Sequence, residues 1–124
     1  MKIKTSELTG AALDWAGAEG AGQQSRILLS SYTGARSIQI LPPPRDIWRN
    51  FCPSTDWAQG GPLIESEHIH LAHHRGSADW SAHVIRGIGV ISHMAFGPTP
   101  LIAGMRCYVA SRLGDEVDVP EEML

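Results

Sequence analysis

The residue types best suited to chemistry lie in one short segment, where Asp56 and Trp57 are followed by Gly60 and Gly61. Paired glycines let a ligand approach the backbone, an aspartate accepts hydrogen bonds, and a tryptophan offers a surface for stacking. These residues therefore predict a ligand-binding loop. They also fit a structural role, in which Asp56 caps a turn and Trp57 fills the core, and we favour that interpretation. The segment lacks the lysine-terminated glycine motif of phosphate-binding loops.

The chain also contains six histidines, which raise the question of a metal site. His68 and His70 are two residues apart on a predicted strand, so both side chains would point to one face. Glu65 and His73 or His74 would add ligands, and imidazole with carboxylate suits zinc or a similar ion. The sequence has no His-Glu-x-x-His motif and no Cys/His cluster with zinc spacing. We therefore assign no metal and no cofactor, and retain only His68 and His70 as candidate ligands.

Arg106 and Cys107 are consecutive on a predicted helix and therefore point in different directions. The guanidinium of Arg106 would pair with Asp56 or with acidic residues near the end of the chain, or join the Asp56 loop in binding a ligand. A cysteine nucleophile needs a base within hydrogen-bonding reach, for which His83 and His93 are the candidates. We favour a buried, inert thiol for Cys107, so we predict no catalytic residue.

Other charged and aromatic residues have plainer interpretations. Asp14 and Arg112 are predicted to be surface charges, and Trp15 is predicted to be a core aromatic residue. Trp48 lies among arginines and would stack on a nucleic-acid base. That role needs a wider basic surface, which the charge distribution does not supply.

The net charge of −3 is concentrated near the end of the chain. The last ten residues contain no base and five acids, namely Asp115, Glu116, Asp118, Glu121 and Glu122. Elsewhere, ten basic residues face the remaining eight of the thirteen acidic ones. This balance is too weak to attract nucleic acid, so we do not expect nucleic-acid binding. We interpret the acidic segment as a solvated end.

The composition predicts one domain spanning residues 1–124, with 43% hydrophobic and 19% charged residues. No apolar run is long enough to cross a membrane, and the first residues lack the pattern of a signal peptide. Cys52 and Cys107 do not form a Cys-x-x-Cys pair. These features predict a cytoplasmic protein with free thiols and no membrane partner.

Two principal helices are predicted, over residues 6–18 and 99–113. The second has strong end signals, with Thr99 at the cap, Pro100 at the first helical position and Gly114 beyond the end. Its large apolar residues form one stripe, consisting of Leu101, Ile102, Met105, Val109 and Leu113. This spacing predicts an amphipathic helix that covers the core.

The other elements are short. Strands are predicted over residues 26–32 and 37–41 as one hairpin, and over 68–73 and 80–85 as another, with a further strand at 90–93. Three prolines at 42–44 end the first hairpin. Gly60 and Gly61 are expected to separate two helical turns, at 54–57 and 62–67. The predicted fold is α+β, with an antiparallel sheet of hairpins packed against two main helices.

Three segments carry a family resemblance. They are the opening 5–8 with 11–16, the sequence PSTDWAQGGPLIE at 53–65, and the sequence GPTPLIAGMRCYVAS at 97–111 with GDEV at 114–117 and PEE at 120–122. In this order they closely resemble the NinX-type family of small phage and prophage proteins. The resemblance implies a phage-encoded protein in the bacterial cytoplasm, and it implies no activity. Residues 26–49 and 68–91 carry no motif of the family.

The absence of a recognisable catalytic motif, together with several tryptophans and helix faces of small residues, favours an interaction protein. We predict a non-enzymatic phage accessory protein that acts by protein–protein contact, forms a homo-oligomer and binds an unknown phage or host protein. The alternative is a small metal-dependent hydrolase or ligand-binding protein that uses the Asp56 loop and nearby histidines.

Overall fold

The computed structural model describes residues 1–123. In chain order its elements are β1 (Lys2–Lys4), a 3₁₀ turn (Thr5–Glu7), α1 (Gly10–Gly20), β2 (Ser25–Leu29), β3 (Arg36–Ile40), β4 (Arg49–Asn50), α2 (Trp57–Ser66), β5 (His70–His73), β6 (Trp80–Arg86), β7 (Val90–Gly97), α3 (Pro100–Leu113), β8 (Glu116–Asp118) and a second 3₁₀ turn (Glu121–Met123). The predicted α+β class is confirmed. The two predicted hairpins belong to separate three-stranded sheets, β2–β3–β4 and β5–β6–β7. Within residues 1–123, no helix has the length and apolarity needed to span a membrane.

The predicted ends of α3 are confirmed. The hydroxyl of Thr99 accepts a hydrogen bond from the amide of Ile102 at 3.1 Å, and Pro100 begins the helix. Gly114 follows with a φ of +94°, which favours glycine. The predicted stripe is only partly correct, because Leu113 at its end is 38% exposed.

Burial of α3 is not confined to one face. Its buried residues are Leu101, Ala103, Gly104, Met105, Cys107, Tyr108, Val109 and Ala110. The small residues among them allow neighbours to approach closely. At Gly104, for example, a Cβ atom would lie 2.6 Å from Cδ1 of Ile64 on α2. As a result, α1, α2 and the β5–β6–β7 sheet all pack against α3, which is the central element of the fold.

The β5–β6–β7 sheet covers α3 with its inner face. Leu71, Ala82 and Ala95 occupy directly opposed positions on the three strands and contribute to the core. β5 starts at His70 rather than at the predicted residue 68, because His68 lies in the turn after α2 and has a left-handed conformation with a φ of +54°. β7 runs beyond its predicted end to Gly97, where a Cβ atom would lie 2.8 Å from the backbone nitrogen of Ala103.

The β2–β3–β4 sheet packs against α1, and Ile38 at its centre is buried. The predicted first hairpin is confirmed in the pairing of β2 with β3. The predicted start of α1 at residue 6 is wrong. A 3₁₀ turn occupies Thr5–Glu7, Leu8 is extended with a ψ of 137°, and the helix begins at Gly10. Leu8 is 1% exposed, so its burial accounts for the break in the backbone.

The predicted break at Gly60 and Gly61 is also wrong, because α2 continues through both residues and through Pro62. Gly60 is buried, and a Cβ atom there would lie 2.7 Å from Cδ2 of Leu101. It would also collide with the carbonyl oxygen of Pro53. The glycine therefore permits close packing of α2, and it does not mark a helix boundary.

The acidic segment near the end of the chain is more ordered than predicted. β8 pairs with β1, with Val117 opposite Ile3. The hydroxyl of Thr5 donates to the carbonyl oxygen of Gly114 at 2.7 Å, and its amide donates to that of Asp115 at 2.8 Å. Successive side chains of a strand point to opposite faces, so the acidic residues of β8 face solvent while Val117 between them is buried.

Candidate functional site

The amino ends of α2 and α3 enclose a shallow hollow of about 290 Å³, here called the Trp57 hollow. Its lining residues are Ser54, Thr55, Trp57, Thr99, Pro100, Leu101 and Ile102. Both helices begin here because each has its own cap, which is Asp56 for α2 and Thr99 for α3. The hollow therefore joins two segments that lie more than forty residues apart in the sequence.

Trp57 is the most exposed large apolar side chain of this hollow, with 53% of its surface accessible. The structural interpretation placed it in the core and is wrong on that point. The lining is formed by apolar side chains and three hydroxyl groups, and none of the lining side chains carries a charge. The hydroxyl of Thr99 is already engaged in capping α3. With no charged lining side chain, and with the first-turn amides of Ala58 and Ile102 already bonded to Asp56 and Thr99, the hollow suits an uncharged apolar group.

The predicted capping role of Asp56 is confirmed. Its carboxylate accepts a hydrogen bond from the amide of Ala58 at 3.0 Å, at the amino end of α2. Gly60 lies inside the fold and Gly61 is half-buried, with open space where its Cβ atom would be. The loop thus places Asp56 and Trp57 side by side, while Gly60 serves packing against Leu101.

Arg106 is bound elsewhere and pairs with neither Asp56 nor an acidic side chain near the end of the chain. Its Nε donates to the carbonyl oxygen of Leu8 at 2.8 Å, and its Nη1 donates to that of Phe96 at 2.8 Å. Burial lowers the pKa of the Arg106 guanidinium, and the charge of Asp79 partly opposes this. Arg106 lines a second depression, of about 210 Å³, beside the β1–β8 ribbon. Through its two hydrogen bonds, Arg106 connects Leu8, before α1, to Phe96, near the end of β7.

Asp14 is a site residue that the sequence interpretation missed. It was predicted to be a surface charge, yet it is 7% exposed and accepts a hydrogen bond from the amide of Ser54 at 2.9 Å. Burial raises the pKa of the Asp14 carboxyl, and its hydrogen bonds with Ser54 act in the opposite direction. A signal was present in the sequence, because the helical neighbours Ala11 and Ala18 are small and apolar.

A cleft of about 310 Å³ opens beside Asp14, between α1 and the β2–β3–β4 sheet. Its wall includes Arg36, Asn50 and Cys52, and it shares Ser54 and Thr55 with the Trp57 hollow. The segment from residue 52 to 55 thus separates two depressions. Of the two, only the Asp14 cleft contains charged groups.

The thiols of Cys52 and Cys107 differ in their exposure to solvent. Cys107 is fully buried, and burial raises the pKa of its thiol to about 11. Its Sγ lies 3.9 Å from the carbonyl oxygen of His93. The predicted inert thiol fits this environment, because a thiolate is strongly disfavoured there. Cys52 is half-buried, and its amide donates to the side chain of Gln59.

His68 lies away from the Asp56 loop. α2 has ten residues, so its two ends are separated by roughly 15 Å. Asp56 caps one end, and His68 follows the other. His70 stacks instead against His83, with ring centroids 4.9 Å apart. Within residues 1–123, no three His, Cys, Asp or Glu side chains are grouped to hold a metal ion.

Trp48, considered above as a stacking surface for a base, and Arg112, predicted to be a surface charge, both have partners within the chain. Arg26 lies over the ring of Trp48, 4.3 Å from its centroid. Arg112 donates to the carbonyl oxygen of Gly20 at 2.9 Å and to the carboxylate of Glu67 at 3.0 Å. One face of Trp48 is therefore covered by an arginine of the same chain, and Arg112 links α1 to the end of α2.

Comparison with protein families gives a match over most of the chain. The family model described as bacteriophage P22 NinX matches residues 4–112. A search of curated proteins finds no match to this chain. Every residue that lines the Trp57 hollow lies in the segments 53–65 and 97–111, which carry the resemblance. The chain belongs to the bacteriophage P22 NinX family.

Proposed function

We propose that this phage-encoded protein is a non-enzymatic accessory factor that binds a phage or host protein at the Trp57 hollow. The observation that carries the proposal is the exposure of Trp57, at 53%, beside an apolar depression. Tryptophan is enriched among the residues that dominate protein–protein binding energy. A protein segment with an apolar anchor side chain is the occupant that fits this chemistry.

The character of the lining supports a protein partner over a metabolite or a hydrolysed substrate. Small charged ligands need a charged or strongly polar counterpart, and the hollow has none among its lining side chains. The alternative of a metal-dependent hydrolase would need Asp56 and a histidine near one ion. Asp56 and His68 lie at opposite ends of α2, and within residues 1–123 no three His, Cys, Asp or Glu side chains are grouped to hold an ion.

The test begins with a photo-crosslinking residue at Thr55, on the rim of the hollow, in cells that produce the phage proteins. The crosslinked protein is identified, purified and titrated against the purified chain. We expect Trp57→Ala to weaken this binding by about thirtyfold or more, as for an interface residue worth about 2 kcal/mol. Tyr32→Ala is the matched control, because Tyr32 is 97% exposed on the loop between β2 and β3.

Two results would refute the contact proposal. One is an affinity that Trp57→Ala leaves unchanged. The other is a crosslinking yield at Thr55 no greater than that of the same probe at Tyr32. Since Trp57 is half exposed, its replacement should leave the fold intact, and circular dichroism verifies this for each variant.

A different observation favours self-association as a second property. At the turn between β6 and β7, Ile88 is 100% exposed, and Ile85, Val90 and Ile91 around it are 41%, 63% and 50% exposed. We call these four residues the hairpin tip. In a dimer with a two-fold axis, the same patch on each copy faces the patch on the other copy. Uncharged apolar side chains can pack against their own copies without charge repulsion. A second copy of the chain is therefore its proposed occupant.

Sedimentation tests the self-association. The native chain is expected to dimerise at micromolar concentrations, and Ile88→Asp is expected to abolish this by placing two charges together in the contact. Tyr32→Asp adds the same charge on another exposed loop and should leave the dimer unchanged. A native chain that remains monomeric over this range would disprove the role of the hairpin tip.

A further inference from the structure

His70, His83 and Met94 form one row across the β5–β6–β7 sheet, here called the His83 row. The register pairs His70 with His83 and His83 with Met94. Directly opposed residues project from the same face of a sheet, so the three side chains share a face. The adjacent row of Leu71, Ala82 and Ala95 is turned toward α3. The His83 row therefore lies on the outer face.

The two imidazoles are already arranged as neighbours. Their ring centroids are 4.9 Å apart and their planes differ by 14°. Bonds from imidazole nitrogen to a metal are about 2 Å long and lie in the ring plane, so the stacked rings must turn about their side-chain torsions to direct one nitrogen each at a shared ion. Met94 is 48% exposed, and its unbranched thioether adapts readily to such a position. Other histidines are engaged, since His74 and His93 have hydrogen bonds to serine hydroxyls.

We propose that His70, His83 and Met94 bind a single Cu(I) ion. A thioether is a soft ligand that selects Cu(I), whereas magnesium, calcium and manganese prefer oxygen. The positions beside the row support an ion of low charge. Ala72, Ser81 and Phe96 occupy the row on one side, and Ile85 opposite Ile91 lies on the other. None of these neighbours offers a carboxylate, so hard divalent ions lack their usual ligands.

This assignment goes beyond the sequence prediction, which considered His68 with His70. His68 is in the left-handed turn after α2 and does not belong to the sheet. The missing partner is His83, thirteen residues further along the chain, which the strand register places opposite His70. The site is independent of the proposed protein contact, because the Trp57 hollow is formed by different elements.

Anaerobic titration of the untagged chain with Cu(I), in competition with a coloured chelator, tests the proposal. The background carries Cys52→Ser, because a half-buried thiol would compete for copper. One Cu(I) per chain is expected. His70→Ala, His83→Ala and Met94→Leu should each weaken binding by at least about tenfold, because even loss of a group that only supports a ligand costs about 10–100-fold. Met94→Leu preserves volume, so it separates ligand loss from misfolding.

His68→Ala and His73→Ala are the controls and should bind Cu(I) like the parent chain. X-ray absorption of the complex should show both nitrogen and sulfur ligands, with the sulfur contribution lost in Met94→Leu. The proposal is overturned if Cu(I) binding is absent, or if it survives His83→Ala unchanged. It is also overturned if Zn²⁺ binds to the row and Cu(I) does not.

Discussion

Replacing Asp14 by alanine would remove the acceptor for the amide of Ser54. That amide lies in a buried segment, since Ser54 is 3% exposed and Asp14 is 7% exposed. A buried donor without a partner costs about 1–3 kcal/mol. We therefore expect Asp14→Ala to lower the free energy of unfolding by about this amount at neutral pH. Asp14→Asn keeps an oxygen that accepts from Ser54, so its loss should be smaller.

The charge of Asp14 adds a pH dependence with a definite sign. Burial raises its pKa above the ordinary value of 3.8, so the folded protein binds this proton more tightly than the unfolded chain does. The free energy of unfolding that this tighter proton binding contributes is fully present below pH 3.8. It is lost as the pH rises through the raised folded pKa of Asp14. Asparagine has no such dependence. The stability of Asp14→Asn relative to the native chain should therefore increase between acidic and neutral pH.

Urea denaturation monitored by circular dichroism measures both effects. The native chain, Asp14→Ala and Asp14→Asn are compared at several pH values from 3.8 to neutral, because burial raises the folded pKa of Asp14 above 3.8. Ser54→Ala keeps the amide that Asp14 binds and removes only the hydroxyl, whose hydrogen bond lowers the pKa of Asp14, so this variant separates the two bonds. Equal losses for Ala and Asn would contradict the hydrogen-bond argument. A constant difference between Asn and the native chain would contradict the pKa argument.

Three further outcomes are expected. Iodoacetamide should modify Cys52 far faster than Cys107 in the native protein, because burial raises the pKa of the Cys107 thiol to about 11. Mass spectrometry measures the two rates, and equal rates would disprove the buried environment of Cys107. Gly60→Ala should cost about 1–3 kcal/mol by overpacking, since the new methyl group would lie 2.7 Å from a leucine side chain. Gly61→Ala, where space is open, should cause no loss in the same thermal melts. Thr99→Ala should lower stability by about 1 kcal/mol through loss of the α3 cap, whereas Thr99→Ser should not.

Local signals in the sequence predicted α3 well. A capping threonine, a proline in the first turn and a glycine after the end act within a few residues, and all three operate as expected. The hairpins were predictable for the same reason, since turn residues separate their strands. The start of α1 was not, because Thr5 and Ser6 are also good caps by type. Burial of Leu8 decides that boundary, and it depends on the tertiary structure.

The candidate site was only half predictable. The sequence drew attention to Asp56 and Trp57 but could not show that Thr99 to Ile102 would lie beside them. The prediction for α2 was wrong because glycine within a helix is usually a breaker. Gly60 instead allows the helix backbone to approach Leu101, a contact that the local sequence does not show. Similarly, the bond from Asp14 to Ser54 joins residues forty positions apart, beyond the reach of helical periodicity.

The central position of α3 has a consequence for synthesis on the ribosome. α1, α2 and the β5–β6–β7 sheet all precede α3 in the chain, yet each uses it as a packing surface. While residues 100–113 are still untranslated, the apolar faces of these earlier elements have no helix to cover them. The nascent chain therefore completes its core only after α3 has been translated, and a premature stop before Pro100 yields a fragment that is prone to aggregate and to be degraded.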